Sequence, residues 1–254
     1  MAITIKSERE IELMAEAGKI LERVHNELEK ALHSGMSTKD IDTLGEEIIR
    51  SYGCIPSFLN YNGYPASICV SVNQEVVHGI PDKHRIIHEG DIVSLDAGLI
   101  YKGYHSDAAR THAVGEVSEE AKKLIQVTKE CFFEGIKYAK AGNHLFDISG
   151  AIGRYAEERG YGVVRDLCGH GIGTALHEAP EIPNYEVGRK GVKLRPGMTL
   201  AIEPMINIGT YEVDWLDDDW TVVTRDGSLS AHYENTILIT EGEPRILSLT
   251  CDNE

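Results

Sequence analysis

Long apolar runs are missing from this chain: none approaches the ~18 residues that a membrane-spanning helix requires. Basic charge is scarce, with 25 Lys and Arg against 41 Asp and Glu, a net charge of −16. That excess of acid argues against nucleic acid or an anionic membrane as the main partner, and much of it reads as a solvated surface. Cysteines are few and odd in number: Cys54, Cys69, Cys131, Cys168 and Cys251, none in a C-x-x-C pair. Free thiols in a reducing compartment fit that pattern, and a sulfur-rich zinc module does not. The opening Met-Ala-Ile-Thr-Ile-Lys-Ser carries no apolar stretch of a secretory signal, so the expected location is cytoplasmic. Linkers, low-complexity segments and charge blocks are also absent. What remains, 254 residues with 42% hydrophobic and 26% charged, is enough to bury a core without disulfides or structural metal.

Helices and strands alternate in two rounds. Ser7-Glu8-Arg9-Glu10 is a capping box, followed at helical spacing by Ile11, Met14, Leu21, Val24, Leu28 and Leu32. Further helices are predicted over Thr38 to Tyr52, from Ser118 to roughly Ala141, and from Leu145 to Arg159. Strand signals cover 67–72, 91–97, 107–114, 199–206, 221–224 and 233–240. Adding 107 to Gly35, Asp40, Ile41, Gly53 and Gly90 lands on Gly142, Asp147, Ile148, Gly160 and Gly197, and carries Asp96 onto Glu203. A shorter echo, His78-Gly79-Ile80 against His170-Gly171-Ile172, has an offset of 92. The repeat implies two similar α+β halves, roughly 1–115 and 116–254, each lending a carboxylate to a shared centre.

Asp96 and Asp107 flank the Gly- and Tyr-rich segment 98–105, which is expected to turn the chain back so that both carboxylates sit side by side. Two adjacent carboxylates repel unless a proton or a cation lies between them. For this pair alone, acids at strand ends facing water are an equal alternative. The second half shifts the balance. His170 stands among glycines in Gly169-His170-Gly171-Ile172-Gly173. Glu203 lies in the apolar strand Thr-Leu-Ala-Ile-Glu-Pro-Met, and Glu234 opens Tyr-Glu-Asn-Thr-Ile-Leu-Ile. An unpaired carboxylate in such a strand is costly to bury. Four acids and one imidazole without a thiolate suit two divalent cations of cobalt, manganese, iron or zinc.

In these motifs the chain resembles the type I methionine aminopeptidases of bacterial type, subfamily A of peptidase family M24. The resemblance spans essentially the whole length. It runs through Tyr61-Asn62-Gly63-Tyr64-Pro65, Asn73 to Pro81, Asp96-Ala97-Gly98, His105 to Thr111, Gly169 to Gly173, His177-Glu178-Ala179-Pro180, Glu203-Pro204-Met205, Trp220-Thr221-Val222 and Ser230 to Glu234. It implies the α+β pita-bread (creatinase/aminopeptidase) fold, two pseudo-symmetric α/β halves around a central antiparallel sheet, as a single catalytic domain over 1–254. It also implies metal ligation by Asp96 on one ion, by His170 and Glu203 on the other, and by Asp107 and Glu234 between them. His78 and His177 are expected to touch substrate, Glu203 to move a proton and His177 to donate to a developing oxyanion. Phe58, Tyr61, Tyr64, Cys69 and Trp220 are expected to line a methionine pocket, and Asn73 and Ser230 lie where a monovalent cation can bind.

The sequence departs from bacterial relatives at His232-Tyr233-Glu234-Asn235-Thr236, where Gln-Phe-Glu-His-Thr is common, and at the pocket-rim residues Asn62 and Leu176. The implied reaction removes the initiator methionine from nascent polypeptides when the second residue is small, and Met1-Ala2 is itself such an end. Transient ribosome contact and a monomeric state accompany that reading, with neither membrane nor specific nucleic acid as a partner. Three rivals remain. A proline-specific peptidase of the same fold is expected to carry an extra N-terminal domain, whereas this chain begins almost directly with its first helix. A metal-free pita-bread binding module is expected to have lost ligands. An acidic scaffold would have no pocket.

Overall fold

The computed structural model describes residues 3–249; Met1, Ala2 and Cys251 lie outside the described residues. The helices are α1 (Glu8–Ala31), α2 (Thr38–Ser51), α3 (Glu119–Ile136) and α4 (Leu145–Glu157). The Ser7 N–H donates to the Glu10 carboxylate at 2.8 Å, closing the capping box of α1. Met14, Ala17, Leu21, Val24 and Leu28 then recur at three- and four-residue steps as its buried stripe. Ala17, Leu21, Val24 and Leu28 join Ile41, Ile48 and Ile49 of α2 against one face of the central sheet, while Met14 packs with Phe58, Tyr64 and Cys69. A second core unites Leu124 and Phe132 of α3 with Ile148 and Ile152 of α4 and with Leu200, Ile202 and Ile237 of the sheet. The third helix stops at Ile136, short of the predicted Ala141, because the chain tightens into successive three-residue turns at Tyr138 and Ala139.

The offset of 107 recurs in the coordinates. α2 opens with Ser37 N–H donating to Asp40 at 2.8 Å, and α4 opens with His144 N–H donating to Asp147 at 2.8 Å. Ser37 bridges Ile86, and His144 bridges Lys193. The Gly35 N–H donates to Ile87 O, and the Gly142 N–H to Leu194 O. Each pair differs by 107. The shorter echo has no such counterpart: His78 follows the short strand Glu75–Val77, while His170 lies inside the strand Gly169–Gly171.

The halves meet in a nine-stranded sheet whose middle runs Ile92–Tyr101, Tyr104–Ala113, Glu234–Leu238, Thr199–Ile202 and Gly169–Gly171, every neighbour antiparallel. The first two strands are longer than predicted. Segment 98–105 is not a loop; pairing continues to Tyr101 and Tyr104, and the turn is only Lys102-Gly103, with φ of 48° and 87°. The predicted strand 199–206 is broken as well. Pro204 has no N–H to continue a ladder, so the chain leaves the large sheet after Ile202 and resumes at Met205 in a three-stranded sheet, opposite His232. Its partner makes the same crossing at Tyr233, between Ser230–His232 and Glu234–Leu238.

Phe132 anchors this crossing from behind, fully buried and edge-on to Tyr233 with ring centroids 5.5 Å apart. Replacing it by alanine should cost about 3–5 kcal/mol of stability, read as a lower midpoint in urea denaturation. A loss below about 1 kcal/mol would show that the crossing does not depend on this ring.

Candidate metal centre

Register places the charged side chains on one face. Asp96 is paired with Ala109, and Ala109 in turn with Glu234, so the two acids stand on either side of an alanine. Asp107 lies two residues from Ala109 and therefore shares its face, diagonal to Asp96 rather than directly opposite. Across the sheet His170 pairs with Ala201, and Ala201 with Thr236, which lies two residues beyond Glu234. Glu203, two past Ala201, projects from the point where the strand ends. All five expected donors thus reach the same side, over a floor of small residues. The glycines around His170 permit this crowding: a Cβ at Gly169 would lie 2.4 Å from Ala201 O, and one at Gly171 2.2 Å from Ala179 O.

Donor atoms of Asp107, His170 and Glu234 lie within 4.8 Å of one another. His170 Nε2 stands 3.8 Å from Asp107 and 3.7 Å from Glu203, while Nδ1 is engaged with its neighbour's carbonyl, Gly171 O, at 2.9 Å. Burial raises the Asp96, Glu203 and Glu234 carboxyls well above their ordinary range and Asp107 to about 7. The other acids of the cluster push Asp96, Glu203 and Glu234 further in the same direction. One oxygen each of Asp96, Asp107 and Glu234 is buried without a hydrogen-bond partner among the described residues. Burial also keeps His170 neutral, its pKa brought down to about 3. Orphaned carboxylate oxygens facing a neutral imidazole fit divalent cations by both geometry and chemistry.

Beside the donors opens a cavity of about 290 Å³. Cys69 is paired with Asp96, which brings its thiol to the boundary between cavity and cluster. Phe58, Tyr61, Tyr64 and Trp220 line the same space, as do the rim residues Asn62 and Leu176. Two of the aromatics have an additional task. The Tyr64 hydroxyl donates to Gly79 O at 2.9 Å, and the Tyr61 hydroxyl lies 2.7 Å from His177 Nδ1. His78 adopts φ 60°, a left-handed conformation that a non-glycine residue holds only under constraint, with its ring edge-on to Trp220. The His177 ring packs against that of His170, centroids 4.2 Å apart. Sequence reasoning missed Leu167, Cys168 and Met205 as lining residues, although Met205 lies within a motif already singled out and Leu167-Cys168 lead directly into another. Asn73 and Ser230 do meet, through Ser230 N–H to Asn73 O at 2.9 Å. The Asn73 side chain, however, is occupied by Asp91 and Ile92.

An apolar slot ending on oxygen-rich cation donors is the arrangement of a metal-dependent hydrolase. Residues 12–241 match metallopeptidase family M24. The methionine aminopeptidase of Clostridium acetobutylicum is 58% identical over 247 residues, 97% of this chain and 99% of the relative. The crystal structure of methionine aminopeptidase from Thermotoga maritima aligns with a TM-score of 0.96 at 47% identity, covering 98% of this chain and 100% of that one. Xaa-Pro dipeptidase from Bacillus anthracis aligns at 0.77 and 27% identity, and the match spans 97% of this chain but 62% of that chain. The chain belongs to metallopeptidase family M24, alongside the bacterial methionine aminopeptidases. Among the described residues, no helix is long and apolar enough to cross a membrane.

The cluster makes stability depend on pH in a defined direction. A carboxyl whose folded-state pKa is raised still holds a proton that the unfolded chain has given up, so stability falls as pH rises. Buried imidazoles act oppositely, but only below their ordinary value of 6.5. Above 6.5 and below the thiol range near about 8.5, the carboxyls alone remain. The metal-free protein should therefore lose melting temperature across that window, while saturating Mn²⁺ abolishes the loss. A metal-free protein that gains stability there would contradict the assignment.

Proposed function

We propose that this protein removes the initiator methionine from nascent polypeptides whose second residue is small, using two divalent cations held by Asp96, Asp107, His170, Glu203 and Glu234. The observation that carries the reading is the direct adjacency of an aromatic, thiol-lined slot to the five donors. Sulfur–aromatic contacts of about 0.3–1.5 kcal/mol each suit a linear thioether in such a slot. Bound cations supply Lewis acidity towards a carbonyl and towards water. Cobalt, manganese, iron and zinc all accept this oxygen and imidazole set. A monovalent cation near Asn73 and Ser230 belongs to the same reading, as do transient ribosome contact, a monomeric state and a cytoplasmic location.

The chain's own groups divide the remaining work. With the Tyr61 hydroxyl, 2.7 Å away, donating to His177 Nδ1, the ring would carry its proton on Nε2 and donate it to a carbonyl oxygen as that oxygen gains charge. Burial lowers the His177 pKa, so the ring donates as neutral imidazole. His78, also neutral with a pKa near 4 through burial, lines the same slot and on this reading meets the scissile amide. Glu203, buried among the other donors and ionised when it holds a cation, takes up a proton on this reading and passes it to the leaving amine. The proline-specific alternative is not favoured, since the more similar relatives are methionine aminopeptidases matched over nearly their full length. A non-enzymatic binding module is not favoured either, because it has no need of five converging donors.

Replacing His177 by alanine should lower kcat by about 10²-fold or more while leaving bound metal unchanged. Loss of metal would make His177 a ligand, and a rise in KM alone would make it a binding residue.

Substrate choice is tested with Met-X peptides, X running from Gly and Ala to Leu and Arg, compared by kcat/KM. Small X should be preferred, because the donors and the loops bearing His78 and His177 crowd the scissile bond. Leucine in place of methionine should be disfavoured by only about 1–3 kcal/mol. Equal rates for Ala and Arg at X, or faster cleavage before proline than after methionine, would overturn the substrate assignment.

A further inference from the structure

We propose that His232 is a positioning residue for Glu203: its Nε2–H holds the carboxylate oxygen that His170 does not face, and so fixes the orientation in which Glu203 works. The inference rests on the proposed hydrolytic role of Glu203. Its first support is the placement of the carboxylate between two imidazoles, with Oε1 3.7 Å from His170 Nε2 and Oε2 3.7 Å from His232 Nε2. The second is that His232 Nε2 is buried without a hydrogen-bond partner among the described residues, in a residue only 2% exposed. A buried ring nitrogen that faces a carboxylate, with no other hydrogen bond made, has that carboxylate as its partner.

The scaffold leaves His232 little freedom to do anything else. Its N–H donates to Thr111 Oγ1 at 2.9 Å, and its carbonyl accepts from the same hydroxyl at 2.9 Å. Met205 is paired with it across the three-stranded sheet, two residues beyond Glu203. Backbone pairing thus sets the distance between the imidazole and the carboxylate.

The test uses the metal-loaded enzyme and two variants. His232→Phe keeps the ring volume and removes the donor; His232→Gln keeps an N–H donor. The Phe variant should lose about 10–100-fold in kcat towards a Met-Ala peptide or in Mn²⁺ affinity by calorimetry, with KM little changed. The Gln variant should recover most of that loss. Wild-type behaviour of the Phe variant, or equal damage in both variants, would overturn the proposal, the latter because ring packing would then explain the effect. Should the Phe variant fail to fold, ¹⁵N NMR of the wild-type protein loaded with diamagnetic Zn²⁺ decides the matter: an Nε2–H tautomer supports the proposal and an Nδ1–H tautomer refutes it. Metal affinity and tautomer are read without any substrate, so a wrong substrate assignment would not be mistaken for failure here.

Discussion

Mutual repulsion among buried carboxylates organises this molecule. Asp96, Asp107, Glu203 and Glu234 are brought together out of water around the neutral imidazole of His170. Ionised together they would be unsustainable; protonated together they would be inert. Divalent cations resolve the conflict, and the fold must keep the donors crowded before any cation arrives. The backbone does this by register: paired and diagonal positions bring the acids to one side, and Ala109 and Ala201 leave the floor beneath them clear.

The opposite face supplies the restraint. Arg110 reaches across from the second strand of the long hairpin and donates to the carbonyls of Ala109 and Glu234 and to Asn235 Oδ1 at 2.6 Å. Its guanidinium also lies over the Tyr233 ring, 4.5 Å from the centroid. A buried cation held by carbonyls and an aromatic face ties the strand of Asp107 to that of Glu234. It also places positive charge behind the acids without occupying their donor atoms. Strand pairing therefore fixes where the ligands stand, and Arg110 resists their separation.

Much of this was legible in the sequence because it depends on local chemistry. Helix starts followed local chemistry, so Ser7 and Ser118 marked two of them within a residue, and the expected start of another at Thr38 is where α2 begins. The repeat of 107 was readable because both halves need the same cap and the same bridge at the same distance. The expected donors and pocket residues were named from motifs, and the fold brings them to one cavity. What escaped was non-local or periodless. The strands Gly169–Gly171 and Glu178–Ile182 are too short and glycine- or proline-interrupted to show alternation. The hairpin tip was misjudged because Gly98 looked like a turn residue, although it lies mid-strand with the Phe58 ring against it. The exchange of strands between sheets at Pro204 and Tyr233 has no signature in either segment alone.

That exchange also sets two of the four acids apart. A residue within a continuous ladder is held by hydrogen bonds on both sides and points where the pleat directs it. Glu203 lies just past the end of its strand and Glu234 at the start of its own, both at the crossing between the two sheets. There the pleat no longer dictates direction, and side chains such as Asn184, which donates to Glu203 O at 3.0 Å, take over the positioning. Asp96 and Asp107, by contrast, lie within the regular hairpin, where the pleat directs them. The repeat thus sets equivalent acids in two different settings: Asp96 in its unbroken copy of the strand, Glu203 in the copy that proline interrupts.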